Sequence, residues 1–421
     1  MSERAAAVPE SEPKSKSEPS ADAPTWTAPW VAPADPPASA AVVGGGAVGA
    51  TAARDLAAAG VDVTLFEAGD AVGAGSSGRA AGIVYNAFAE DVDAELARRA
   101  LARFRALDAA DVDFHFTDCP YVMLAREGDD ECVAAVEAAA AGMARNGVAV
   151  ETVDGDELSG RVPLSGDDVA VAAICSGAGH CNPGSYVAAM AAAARRAGAT
   201  IRTDAPVRVR TDPVGVAVDG SGPGADADVP DPVVTRYDAV LVACGAWTGR
   251  VLADAGVPVA LKPYRVQALT AGRPYDGPMA YDATAGAYFR PHPTGLLAGD
   301  GTVPEAVDPD AYDRTADDWF VEDVDALLAH RAGYDLAVER AWAGVCTATP
   351  DRDPLLGELR DGLYVAAGWQ GHGFMRAPAT AEAVVAEMVG GDGVAPFDPT
   401  RVDGDESFAV VEGMTPEERA E

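Results

Sequence analysis

A chain of 421 residues can bury a large core split between two lobes, and its 48% hydrophobic and 23% charged content is ordinary for a soluble globular protein. Sixty-six acidic residues face thirty-one basic ones, a formal charge of −35, and the lysines are only Lys14, Lys16 and Lys262. Such a surface repels phosphate backbones and excludes nucleic acid as a partner; it suits concentrated salt and points to a salt-loving source.

Residues 1–37 are rich in Pro, Ser, Glu and Ala and read as a disordered acidic tail, with Trp26 and Trp30 docking on the body of the protein. The first residues, MSERAAAVPESEPKSKSEPS, have no apolar stretch of a secretory signal, and no run reaches the length of a membrane span. A cytoplasmic protein is expected. A strand begins at 38–43, a glycine-rich turn follows, and Val61, Val63 and Leu65 alternate as a second strand. Helical periodicity runs from Asp91 to Leu107 and from Asp129 to Asn146. Asn182 and Pro183 supply an N-cap and a first-turn proline for a helix through Arg196, with Gly198 as its stop. Segment 211–236 alternates weakly around a polar hairpin tip. Tyr237–Cys244 reads as a buried strand, GLYVAAG at 362–368 as the last strand, and Ala377–Val389 as the last helix. Alternating helices and strands make the fold class α/β.

The cysteines Cys119, Cys132, Cys175, Cys181, Cys244 and Cys346 are scattered without a CxxC pair, so no disulfide frame is expected. Cys175, His180 and Cys181 lie close together, but no second ligand pair stands at zinc spacing; they read as buried thiols, and no metal is expected.

Gly44-x-Gly46-x-x-Gly49 follows a strand and opens a helix. The first glycine permits the turn, the second lets a pyrophosphate approach the backbone, and the third lets helix pack on strand. Glu67, at the end of the second strand, suits a ribose and disfavours a 2′-phosphate. NAD and FAD share this fingerprint. The small-residue loop AGDAVGAGSSGRAAG (68–82), and the returns AVLVACGAW (239–247) and GLYVAAGWQGHGFMRAPA (362–379), favour a long extended cofactor.

With these motifs in order, together with NPGSYVAAMAAAARRAGA, LKPYRVQ, AYFRP and TPDRDPLLG, the sequence resembles the D-amino-acid oxidase superfamily of FAD-dependent oxidoreductases. The branch is that of glycine oxidase, sarcosine oxidase and dimethylglycine dehydrogenase. The resemblance implies a Rossmann-like FAD-binding domain (38–90, 155–258 and 340–400) interrupted by a substrate domain with an antiparallel sheet (91–154 and 259–339), and a C-terminal tail at 401–421. It implies that Gly44, Gly46, Gly49 and Glu67 hold the ADP half of FAD, and that Ser76, Ser77 and Arg79 lie along the pyrophosphate and flavin. Val207 would offer backbone atoms to the adenine and Gly245 would pack on the cofactor. Gly371, His372 and Gly373 would set backbone N–H groups beside the flavin pyrimidine. Covalent attachment in the family uses a histidine at the position of Arg79 or a cysteine at that of Gly344, so non-covalent FAD is expected.

The family's substrate-carboxylate cations fall here on Cys346 and Met375, neither of them a cation. Arg290, Arg376 and Arg265 are the remaining candidates. Arg290 either grips a carboxylate or pairs with an acid on its own sheet. Tyr288, on the same strand face, and His372 complete the candidate catalytic set. The implied reaction is oxidation of the C–N bond of a small amine or amino acid by hydride transfer to flavin N5, with oxygen or an electron carrier as final acceptor. The alternatives are an FAD-dependent 2-hydroxy-acid oxidoreductase, an NAD-dependent dehydrogenase, and a flavin-binding subunit or sensor without turnover.

Overall fold

Strand Ser39–Val43 is apolar almost throughout because it is covered on both faces. In the computed structural model, which describes residues 34–110, 112–218, 234–411 and 413, it pairs in parallel with Asp62–Phe66 on one side and Ala239–Val242 on the other. Thr200–Arg202 extends the sheet beyond Asp62–Phe66. Leu363–Ala367 extends it in parallel beyond Ala239–Val242, and Leu355–Arg360 closes that edge antiparallel. The strand before the glycine turn is therefore central to a six-stranded sheet. Trp26, Trp30 and the hairpin tip at 219–233 lie outside the described residues.

One face of this sheet carries the helices Ala47–Ala58, Pro183–Arg196 and Gly373–Met388, with Asp91–Asp108 packed on the last. Their ends follow the sequence signals. The Asn182 side chain accepts from Ser185 N at 3.1 Å with Pro183 in the first turn, and Asp129 accepts from Cys132 N at 3.2 Å to start helix Asp130–Arg145. The last helix begins at Gly373 rather than Ala377: Arg376 N donates to the His372 carbonyl at 3.2 Å, and Pro378 is carried inside, forgoing one backbone bond. The other face packs against the antiparallel sheet Val207–Thr211, Val214–Val218 and Val234–Arg236.

An eight-stranded sheet forms the second layer. Its order is Val338–Ala348, Lys262–Ala271, Gly295–Ala306, Ala287–His292, Met279–Asp282, Tyr121–Arg126, Val169–Cys175 and Val150–Val153. Every pairing is antiparallel except Met279–Asp282 with Tyr121–Arg126. Strands Val169–Cys175 and Val338–Ala348 belong here by hydrogen bonding, whereas the boundaries drawn from the resemblance place the first, and most of the second, in the FAD-binding part. Backbone pairing, invisible in a local reading, decides it. Helix Asp318–Ala332 lays Phe320, Val324, Leu327 and Leu328 on this layer. The expected C-terminal tail is also corrected: residues 402–411 dock on the body, because Val410 is buried against Tyr264 and Ala348. Among the described residues no helix is long and apolar enough to cross a membrane, and no group of three or more His, Cys, Asp or Glu could hold a metal ion.

A buried charge network locks the helical layer. Arg103 donates to both oxygens of Asp55 at 2.9 Å and to the Pro378 carbonyl at 2.7 Å, joining three helices. Glu382 stands 3.6 Å from Arg103, and burial pushes its carboxyl up to about 7 against the pull of Arg103. The folded state thus binds more protons than the unfolded chain between the ordinary 4.5 and about 7, and stability falls as pH rises through that window. Denaturant unfolding should show this fall in the wild type and its loss in Glu382→Gln. Arg103→Met, which strips Asp55 of its bidentate partner, should lower stability by ~3–5 kcal/mol.

Candidate cofactor and substrate site

The glycine turn is held by backbone contacts that no side chain can enter. A Cβ on Gly44 (φ +110°) would stand 2.4 Å from the Ala243 carbonyl oxygen, and one on Gly49 2.0 Å from that of Gly44. Gly46 is the N-cap of helix Ala47–Ala58, and Ser77 Oγ accepts from Ala47 N at 3.0 Å. Loop 75–82 is thereby drawn across the positive end of the helix dipole. Glu67 accepts from Gly45 N and Gly69 N, both at 2.8 Å, which orients its carboxylate beside the turn. Ser76 Oγ donates to the Val345 carbonyl at 2.8 Å and ties the same loop to the eight-stranded sheet. Arg79 reaches the Gly75 carbonyl at 3.5 Å. Val207 begins its strand by pairing with Val218, close to the end of the Glu67 strand, where Ala205 N donates to the Glu67 carbonyl at 2.9 Å.

Where the two sheets face each other the structure leaves room and unsatisfied polar atoms. A Cβ on Gly245 (φ +56°) or on Gly344 would meet nothing within 4 Å. Turn 368–372 brings Gly371 and His372 to the start of helix Gly373–Met388. His372 is buried, its Nε2 lies 3.1 Å from Tyr85 Oη, and its Nδ1 is buried without a well-formed hydrogen bond among the described residues. Burial, then Arg376, holds its imidazole down to about 3, so it is neutral at ordinary pH. Gln370 Oε1 is likewise buried without a partner. Tyr85 stacks on Tyr121 with ring centroids 4.5 Å apart. Tyr288 lies across Gly299, where its hydroxyl would be 2.4 Å from an added Cβ. Burial first, then Asp300 and Cys346, pushes its phenol well above the ordinary value.

The arginines separate sharply. The buried Arg54, Arg103, Arg265, Arg331 and Arg376 each pair with an aspartate. Arg376 takes Asp93 and lies over the Phe88 ring at 4.9 Å, and Arg265 takes Asp317, so the structure gives both a structural partner. Arg290, 3% exposed, has no carboxylate partner among the described residues. Its Nε donates to the Ala81 carbonyl and its Nη1 to that of Pro291, each at 2.5 Å. Burial lowers its guanidinium to about 10, which leaves it charged at neutral pH.

Residues 39–387 match the DAO family, described as FAD dependent oxidoreductase. The chain belongs to this family. It is 29% identical over 396 residues to 4-methylaminobutanoate oxidase (formaldehyde-forming) of Paenarthrobacter nicotinovorans, covering 86% of this chain and 44% of that one. The chain thus spans less than half of that relative's length. It is 28% identical over 380 residues to glycine oxidase of Geobacillus kaustophilus, covering 83% of this chain and 92% of that one. Among solved structures, L-proline dehydrogenase from P. horikoshii superposes with a TM-score of 0.76 at 25% identity, over 87% of this chain and 98% of that one.

The DAO-family cofactor fits what the residues offer. The glycine turn and helix end suit a pyrophosphate, Glu67 a ribose, and the open faces of Gly245 and Gly344 a flat ring. The buried Nδ1 of His372 is an atom that a cofactor or substrate would satisfy. The sequence had not singled out three residues at this junction: Tyr85, Tyr264 and Asp300. Asp300 is buried at φ +109° beside Tyr288, and the Asp-Gly pair inside a strand was its one available signal. Gly49→Ala forces a 2.0 Å backbone contact, so the purified variant should carry less than about a tenth of the wild-type flavin per chain in its visible spectrum.

Proposed function

We propose that this FAD-dependent oxidoreductase oxidises the C–N bond of a small amine or amino acid bearing a carboxylate, and that Arg290 holds that carboxylate. The observation that carries the reading is the unmatched charge of Arg290, set against the paired state of the other buried arginines. A guanidinium grips a carboxylate bidentately, and a low-dielectric site strengthens the pair. The relatives' names support the class of bond: they are oxidases and a dehydrogenase of methylaminobutanoate, glycine and proline.

Bound FAD supplies a two-electron acceptor for the substrate's α-hydrogen. The protein's part is orientation. Arg290 fixes one end of the substrate, and Tyr288 forms the adjoining wall. His372, kept neutral, offers Nδ1 as a hydrogen-bonding atom without adding charge. No charged protein base is required once the amine is neutral. Ser76, Ser77, Arg79, Val207 and Gly371–Gly373 are the proposed cofactor contacts beyond the glycine turn. The six-stranded layer is the proposed cofactor lobe and the eight-stranded layer the substrate lobe. Arg79 and Gly344 support non-covalent FAD, since neither side chain can form the bond. Electrons pass on to oxygen or a carrier, and the charge of −35 supports a salt-rich cytoplasm without a nucleic-acid partner.

Anaerobic addition of secondary amines, D- and L-amino acids and 2-hydroxy acids to the protein in high salt tests the reading. An amine or amino acid should bleach the flavin bands, and acid precipitation should release the colour. Bleaching by hydroxy acids alone, or by nothing in the panel, contradicts it.

A further inference from the structure

The segment after the last helix lies against the site. Lys262, the only lysine among the described residues, donates Nζ to the Phe408 carbonyl and stands 4.4 Å from the centre of its ring. Gln370 Nε2 donates to the Val411 carbonyl at 2.9 Å. The backbones come so close that a Cβ on Gly404 would be 2.1 Å from the Pro258 oxygen and one on Gly413 2.0 Å from the Gln370 oxygen. Contacts this tight mark a docked segment, and one anchor, Gln370, sits in the same turn as His372.

The surface it covers lies on the same sheet face as Tyr288, which pairs with Gly299 as Gly299 pairs with Ala268. Tyr264 pairs with Cys346, and Val266 with Gly344, on neighbouring strands. Tyr264, Val266, Cys346 and Ala348 form one apolar cluster with Phe408 and Val410. By strand alternation these positions share a face with Gly344, whose Cβ side is open. The Tyr264 hydroxyl is 3.9 Å from a Cβ built on Gly371.

We propose that residues 402–411 form a strap that closes one side of the substrate pocket and selects substrates with an apolar group at that side. This rests on the reading that Arg290 holds the substrate with Tyr288 as the adjoining wall, and extends that wall along the same sheet face to Tyr264 and Cys346. The substrate class is then an amine or amino acid whose carboxylate goes to Arg290 and whose alkyl or N-alkyl group goes to the wall of Phe408, Val410, Val266 and Cys346. Each methylene buried against such a wall carries ~10-fold or more of discrimination.

Covering is tested without turnover. N-ethylmaleimide labelling, followed by peptide mass spectrometry, compares the full chain with chains ending at Gly413 and at Arg401. Cys346 should label ~10-fold faster in the chain ending at Arg401 and unchanged in the chain ending at Gly413, while Cys132, on helix Asp130–Arg145, keeps its rate in all three. The full-length double variant Phe408→Ala/Val410→Ser should expose Cys346 in the same way and decides the matter if the shorter chain unfolds. An unchanged Cys346 rate in the double variant overturns the strap. Selectivity is read from kcat/KM over substrates lengthened by successive methylenes. The double variant should lose ~10-fold on the longer ones and nothing on the shortest, and an equal loss on all overturns the selecting role. If no amine is a substrate, the labelling result stands and only the proposed function falls.

Discussion

Arg290 joins the two layers of the molecule through a charge that no carboxylate among the described residues neutralises. Its guanidinium reaches from strand Ala287–His292 to the Ala81 carbonyl, in the loop that Ser77 pins to the glycine-turn helix. Burying a cation without an anion costs several kcal/mol, and two carbonyl dipoles offset only part of that. The fold tolerates this beside Tyr288 and the loop that Ser76 ties to the eight-stranded sheet, and elsewhere it keeps two open glycine faces and a buried histidine nitrogen without a well-formed hydrogen bond. Such departures from self-satisfied packing gather where a ligand completes the structure.

The rest of the chain keeps its charges in order. Arg331 is fully buried, and it bonds Asp168 at 2.8 Å and stands 3.4 Å from Asp282. Arg103 holds Asp55 among the helices, and Arg376 holds Asp93. These pairs fix how helices and strands sit around the glycine turn, while the close approach of Gly44 to Ala243 and of Gly49 to Gly44 sets the strand-to-helix geometry. With acidic residues so abundant, an arginine that pairs with none of the described ones reflects placement rather than scarcity.

The glycine turn and its neighbouring carboxylate were legible because their signals are local. Gly44, Gly46, Gly49 and Glu67 fall within one strand–helix–strand unit, and Asn182-Pro183 caps its own helix. The substrate half was not. Arg265, Arg290 and Arg376 look alike in sequence, and what separates them is Asp317 and Asp93, which reach them only through the fold. Strand Val169–Cys175 has its partners in Tyr121–Arg126 and Val150–Val153, so its layer could not be read from its own residues. Residues 402–411 read as a tail because Phe408 and Val410 show no period, yet they face Lys262 and Tyr264, far away in sequence.

The account turns on whether the charge of Arg290 is completed by a carboxylate. The direct measurement is the dissociation constant of an unreactive small carboxylate such as benzoate, read from its perturbation of the bound flavin spectrum, in the wild type and in Arg290→Met. The account predicts binding weakened by about 2 kcal/mol or more, ~30-fold, with flavin content retained. Equal affinity in the two proteins, each fully loaded with FAD, would contradict it.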